Sequence, residues 1–156
     1  MTDEALLLEA IRLAAEHSAD GRNGPFGAVI ARAGTVVGRG WNRVVADADP
    51  TAHAEVAAIR DACRRVGTHV LADCAIYCSC EPCPMCLAAI YWARIPRVVF
   101  AATSEDARAA GFDDRRIHVE LTRPWGERRL DAERLPLPEG LEVLRRWQRN
   151  PDRVDY

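Results

Sequence analysis

The chain has 156 residues, 49% of them hydrophobic and 28% charged, with a formal net charge of −2. That length fits one compact domain with a sizeable core, and the composition is that of a soluble globular protein. The acidic balance argues against a partner whose phosphate backbone would have to be neutralised by a basic face.

No apolar run is long enough to span a bilayer, and the acidic start Met1-Thr2-Asp3-Glu4 is unlike a secretory signal. The arginine pairs Arg115-Arg116, Arg128-Arg129 and Arg145-Arg146 are interspersed with acidic residues and read as solvated faces. Six cysteines between Cys63 and Cys86 do not make a disulfide framework for a chain of this size. The expected compartment is the cytoplasm.

In chain order, Leu7, Leu8, Ile11, Leu13 and Ala14 recur at near-helical spacing and predict an amphipathic helix over 4–17, broken at Gly21 to Gly24. Two β-rich runs, 26–33 and 35–45, joined around Gly34, predict a hairpin. A turn at Asp47 to Pro50 leads into a helix over about 53–65. A short apolar run at 75–79 predicts a buried strand, and Pro84 suits the first turn of a helix over 84–92. A strand over 97–102, a short helix over 104–110, a possible last strand over 117–121 and a C-terminal helix over about 139–148 complete the pattern. Together they predict one α/β domain over 1–156, a central sheet with helices on both faces.

The chemistry is carried by His53-Ala54-Glu55 and, 30 positions on, Pro82-Cys83-Pro84-Met85-Cys86. One imidazole and two thiolates are one ligand short of a closed tetrahedron. Structural zinc is normally closed by four protein ligands, whereas catalytic zinc keeps a position for water and lowers its pKa to about 7. His53, Cys83 and Cys86 are therefore the expected ligands of one Zn²⁺ per subunit, with Glu55 beside them to move protons. This pairing of motifs is the signature of zinc deaminases. Both halves fall at predicted helix starts, where the dipole favours thiolate.

Other readings compete. A Cys-x-x-Cys pair alone suits a redox dithiol, but that leaves His53 and Glu55 without a role. A structural zinc site would need a fourth thiolate from Cys74, Cys78 or Cys80; these lie on a buried apolar strand, where cysteine is usually a small core hydrophobe. Cys63 reads the same way. A catalytically silent, zinc-stabilised binding module is opposed by the intact Glu55.

On these motifs, together with Gly24-Pro25-Phe26-Gly27-Ala28, Trp92-Ala93-Arg94 and Gly111-Phe112-Asp113-Asp114, the sequence resembles the cytidine-deaminase-like zinc enzymes, and within them the bacterial guanine deaminases. The segment Ile95 to Phe100 looks more like the tRNA adenosine deaminases. The resemblance implies a three-layer α/β/α sandwich around a five-stranded mixed sheet. It also implies a homodimer whose C-terminal segment, about 137–156, is swapped between subunits. It implies hydrolysis of guanine to xanthine and ammonia, with a small purine base as substrate. The alternatives are a tRNA adenosine deaminase or a deaminase of cytosine, isocytosine or aminotriazines. By the same resemblance Asn42 and Asp114 hydrogen-bond the base, Phe26 and Trp92 wall the pocket, Ala54 contributes to binding, and Tyr156 arrives from the other subunit. Outside the resemblance, Asn42 is a strand-end amide, Asp114 a solvated turn residue, Phe26 and Trp92 core aromatics, and Tyr156 a frayed chain end.

Overall fold

The computed structural model describes residues 1–155, so the expectation for Tyr156 lies outside them. Two compact units are distinguished, one running to His118 and the other starting at Val119.

The first unit contains α1 (Asp3–Ser18), β1 (Gly27–Arg32), β2 (Thr35–Trp41), α2 (Ala54–Val66), β3 (Cys74–Cys80), α3 (Pro84–Trp92), β4 (Arg97–Ala102) and α4 (Ser104–Ala109). The strands lie in the order β2-β1-β3-β4; β1 is antiparallel to β2 and to β3, and β3 is parallel to β4. The side chains of a strand alternate between faces, and this sequence uses both. Val29, Ala31 and Tyr77 pack with Leu6, Ala10 and Leu13 of α1. Ala28, Ile30, Ile76 and Cys78 pack with Ala54, Ala58 and Ala62 of α2 and with Ile90 of α3. The result is the expected α/β/α layering. Burying one Leu or Ile contributes about 1.5–3 kcal/mol, against about 0–1 kcal/mol for an exposed ion pair. The two apolar layers, and not the many surface Arg–carboxylate pairs, therefore hold this unit together.

Glycine fixes how α2 meets the sheet. A Cβ on Gly38 would come within 2.6 Å of the Ala58 carbonyl oxygen, and one on Gly40 would collide with the Ala54 carbonyl. With alanines opposite, the backbones of β2 and α2 approach closely, which sets the N-terminus of α2 near the end of β2. Gly67, at φ 78°, ends α2 in the left-handed conformation and donates its N–H to the Cys63 carbonyl.

The expected fifth strand is not formed: the described sheet has four strands, and residues 117–121 lie in α5 (Arg115–Thr122). The cause is local. Asp113 Oδ1 accepts the Arg115 N–H at 3.1 Å, and the Asp114 carbonyl accepts from Ile117 and His118 at 2.8 and 3.2 Å, starting a helix. The alternation Ile117-Val119-Leu121 fits a strand, but Ile117 and Leu121 are also four apart, as neighbours on one helix face are. The second β-run, expected over 35–45, stops sooner, at Trp41. There Arg43 and Asp47 pair bidentately at 2.7 and 2.6 Å across a turn. The second unit holds the rest of α5, a 3₁₀ turn (Trp125–Glu127) and α6 (Pro138–Arg149), where the C-terminal helix was expected. Among the described residues no helix is long and apolar enough to cross a membrane.

Candidate active site

Two helix starts carry the metal-ligating groups. His53 is the N-cap of α2 and Cys83 the N-cap of α3, both with extended backbone and no side-chain capping bond, so their side chains are left for another task. Pro84 at the first position of α3 has no N–H to leave unpaired and pre-sets the helical φ, with Cys86 two residues further into the turn. His53 Nδ1 lies 3.6 Å from Cys83 Sγ and 3.5 Å from Cys86 Sγ. The three ligand atoms all fall within 4.8 Å of one another, and among the described residues this is the one such cluster of metal-ligating groups. No fourth thiol joins it: the Cys80 thiol donates to the Thr103 carbonyl at 3.4 Å.

The protonation pattern is that of a cluster built around a cation. The hydrogen bond from Cys86 and, after it, the one with His53 hold the Cys83 thiol down to about 4, against the opposing effect of burial. Cys86 is driven up by the neighbouring Cys83 sulfur and by burial. The hydrogen bond with Cys83 raises His53. Two sulfurs competing for one proton beside an imidazole are an electron-rich set that Zn²⁺ satisfies, with two S and one N donor and one position left.

Glu55, in the first turn of α2, is buried at 8% exposure; burial pushes its carboxyl up from its ordinary value, opposed by bonds to its own backbone and to Cys86. A carboxyl made to hold its proton more tightly, next to a water-binding metal position, is suited to proton transfer at neutral pH.

Around it opens a pocket lined by Phe26, Asn42, His53, Glu55, Cys80, Glu81, Cys83, Ser104, Ala107, Phe112 and Asp114. Asn42 is buried, and its Oδ1 accepts from the Gly24 and Val44 N–H groups, each at 3.3 Å. Those bonds orient the amide so that Nδ2 is the donor left for a ligand. Phe26 meets Phe112 edge to face at 4.8 Å. Asp114 Oδ2 lies 3.2 Å from His118 Nε2, whereas Asp113 is engaged by Arg115 at 2.5 Å. Of the two adjacent aspartates, only Asp114 is on the pocket.

Of the residues expected at the site, the structure brings together His53, Cys83, Cys86, Glu55, Asn42, Asp114 and Phe26. Trp92 is elsewhere, 69% exposed at the end of α3, and Ala54 is buried in the core; neither is on the pocket lining. The sequence reading placed Cys80 in the core of a buried strand and assigned no pocket role to Glu81, Ser104, Ala107 or Phe112, all of which line the pocket with Cys80. For Cys80 and Glu81 the available signal was adjacency to the Pro-Cys-x-x-Cys motif; for Phe112 it was the run ending in Asp114. A larger groove between β2 and α2 is lined by Arg39, Trp41, Arg43, Arg64 and Arg65, but it contains none of these groups.

The sequence model of the cytidine and deoxycytidylate deaminase zinc-binding region matches residues 1–102. The chain belongs to this deaminase family. Zinc is its cofactor, and the His53–Cys83–Cys86 cluster fits one ion. A guanine deaminase from Bacillus subtilis is 46% identical over all 156 residues, covering 100% of both chains. The X-ray structure of a Bacillus subtilis guanine deaminase superposes with a TM-score of 0.96 at 46% identity, covering 100% of this chain and 99% of that one. A tRNA-specific adenosine deaminase from Aquifex aeolicus is 38% identical over 120 residues, 77% of each chain.

Proposed function

We propose that this protein hydrolyses guanine to xanthine and ammonia. The observation that carries the reading is a buried Glu55 beside the His53–Cys83–Cys86 cluster, at the base of a pocket whose polar walls are Asn42 and Asp114. Full-length similarity to a guanine deaminase, against partial similarity to tRNA deaminases, supports guanine as the base.

Bound Zn²⁺ would supply a water of lowered pKa as the nucleophile. The chain's own groups do the rest. Glu55 takes a proton from the attacking water and passes it to a ring nitrogen, most simply N3, which makes C2 electron-poor. The water oxygen adds at C2, Glu55 takes the second proton from that oxygen and gives it to the exocyclic nitrogen, and the C2–N bond breaks to release ammonia as the C2 carbonyl forms. Asp114 accepts from the N–H groups on the purine edge, while Asn42 Nδ2 donates to an acceptor on the base. Phe26, braced by Phe112, offers an aromatic wall. A base with mismatched donors leaves these buried polar groups unpaired, which is how such a pocket discriminates.

The same reading extends to assembly. Leu87, Tyr91 and Trp92 on α3 and Phe100 on β4 are exposed apolar side chains, suited to burial against a second copy of the chain. In such a homodimer the C-terminal segment, with Tyr156, closes the partner's pocket. The thiol-rich centre suits the reducing cytoplasm. Ammonia release from guanine, adenine, cytosine and a tRNA anticodon stem, measured on one zinc-loaded preparation, tests the substrate assignment.

A further inference from the structure

Cys80 ends β3 and Glu81 follows it just before the metal-binding turn, and three contacts tie them to the end of β4 and the segment after it. The Glu81 N–H donates to the Ala102 carbonyl at 2.9 Å, the Cys80 thiol donates to the Thr103 carbonyl at 3.4 Å, and Glu81 Oε2 accepts the Ser104 N–H at 2.8 Å. Ser104 opens α4, whose capping box is closed within itself. The Thr103 hydroxyl accepts the Asp106 N–H at 3.2 Å, and Asp106 Oδ2 accepts the Thr103 N–H at 2.8 Å. That box leaves the Ser104 N–H unserved, and the Glu81 carboxylate takes it.

At the other end of α4, the Ala107 carbonyl accepts from Ala110 at 3.1 Å and from Phe112 at 2.9 Å. The chain turns there through Gly111 at φ 98°, a conformation that favours glycine. The turn delivers Phe112 and Asp114 to the pocket. A short series of hydrogen bonds thus runs from the metal-binding turn, through α4, to the wall that faces the base.

We propose that Glu81 is a positioning residue that holds the base-reading wall, Phe112 and Asp114, in register with the metal cluster. The proposal rests on the reading of this pocket as a purine-base site. Glu81 acts through its acceptor oxygen and not through a proton. When a base fills the pocket and displaces water, the bond to Ser104 strengthens, because a charge-assisted hydrogen bond is worth more in a drier setting. Glu81 therefore matters most in the complex, and its loss should appear in binding of the base more than in the bond-breaking steps.

The experiment alters both ends of the bond. Glu81→Ala should raise KM for guanine about tenfold, the scale set by one lost charge-assisted hydrogen bond, with kcat changed far less and zinc stoichiometry unchanged. The Phe112 amide should exchange with solvent faster than in the unmodified protein. Glu81→Gln keeps an oxygen at the same reach and should restore most of both properties. Ser104→Pro removes the N–H from the other side. Proline is tolerated at a first helical position, and Thr103 already has the extended backbone that a following proline requires, at φ −92° and ψ 166°. Compared with Ser104→Ala, which keeps the N–H, Ser104→Pro should reproduce the KM effect and add nothing further in a Glu81→Ala background. It carries the test should Glu81→Ala fail to fold. If guanine turns over while Glu81→Ala and Ser104→Pro leave KM and Phe112 exchange unmoved, the proposal is overturned; zinc loss in Glu81→Ala would overturn it too. If the unmodified protein ignores guanine, the substrate reading falls, and Phe112 exchange alone still decides whether Glu81 holds the wall.

Discussion

Glu55 and Asp114 are both carboxylates on one pocket, and their surroundings divide the work between them. Glu55 is buried, its carboxyl raised by desolvation, and it sits in the first turn of the helix that His53 caps. Asp114 is an acceptor at the pocket wall with His118 beside it. Exchanging the first should stop chemistry without emptying the metal site, because Glu55 is outside the ligand cluster. Glu55→Gln is expected to keep its zinc and fold and to lose about 10²–10⁴-fold in kcat, the usual scale for a positioned proton-transfer group. Metal analysis alongside ammonia release checks this, and near-normal turnover of the metal-replete variant would rule out the proton-shuttle role. At this scale the motif residues were legible in the sequence, because metal coordination dictates residue type and spacing. Glu81 and Phe112 were not, because their hydrogen bond and ring contact form only once the chain after β4 has folded back on the pocket.

Among the elements, the helices and strands of the first unit follow from the sequence pattern, since the central strands β1 and β3 are largely buried and must be apolar. Residues 117–121 show where periodicity ends: the same apolar residues suit a strand or a helix, and the Asp113-Asp114 turn decides for the helix. Trp92 shows a second limit, since its apolar character reads equally as core, pocket wall or exposed surface. Between α1 and the edge strand β4, Asp3 is held by Arg97 at 2.5 and 3.0 Å and by the Tyr77 hydroxyl at 2.7 Å. The Arg97 guanidinium and then Tyr77 hold its carboxyl down at about 2, below its ordinary 3.8. A carboxylate depressed by folding stabilises the fold fully above the ordinary value and loses that contribution as pH falls towards the depressed one. Asp3→Asn should therefore lower the thermal midpoint at pH 7, with the gap to the unmodified protein closing between about pH 4 and pH 2. Zinc loss in acid affects both proteins, so the difference between them isolates Asp3. A gap that persisted unchanged at pH 2 would deny the ion pair a role.

For the whole molecule, similarity spans the full chain, whereas the family model covers only residues 1–102. The portion beyond Ala102 carries Phe112 and Asp114, which line the pocket, while the metal-ligating cluster lies in the portion before it. If the C-terminal tail closes the partner's pocket, a protein lacking residues 152–156 should lose guanine turnover while keeping its zinc. A mixed dimer with a tail-bearing Glu55→Gln partner should then regain turnover at the Glu55-containing site. A confirmed mixed dimer that stays inactive would confine the tail to its own subunit.

Guanine deamination at this zinc site is tested most directly by product formation on a single zinc-loaded preparation. Guanine should give xanthine and ammonia in equal amounts, well ahead of adenine, cytosine or a tRNA anticodon stem. Conversion of adenosine to inosine in the tRNA, with guanine left untouched, would contradict it.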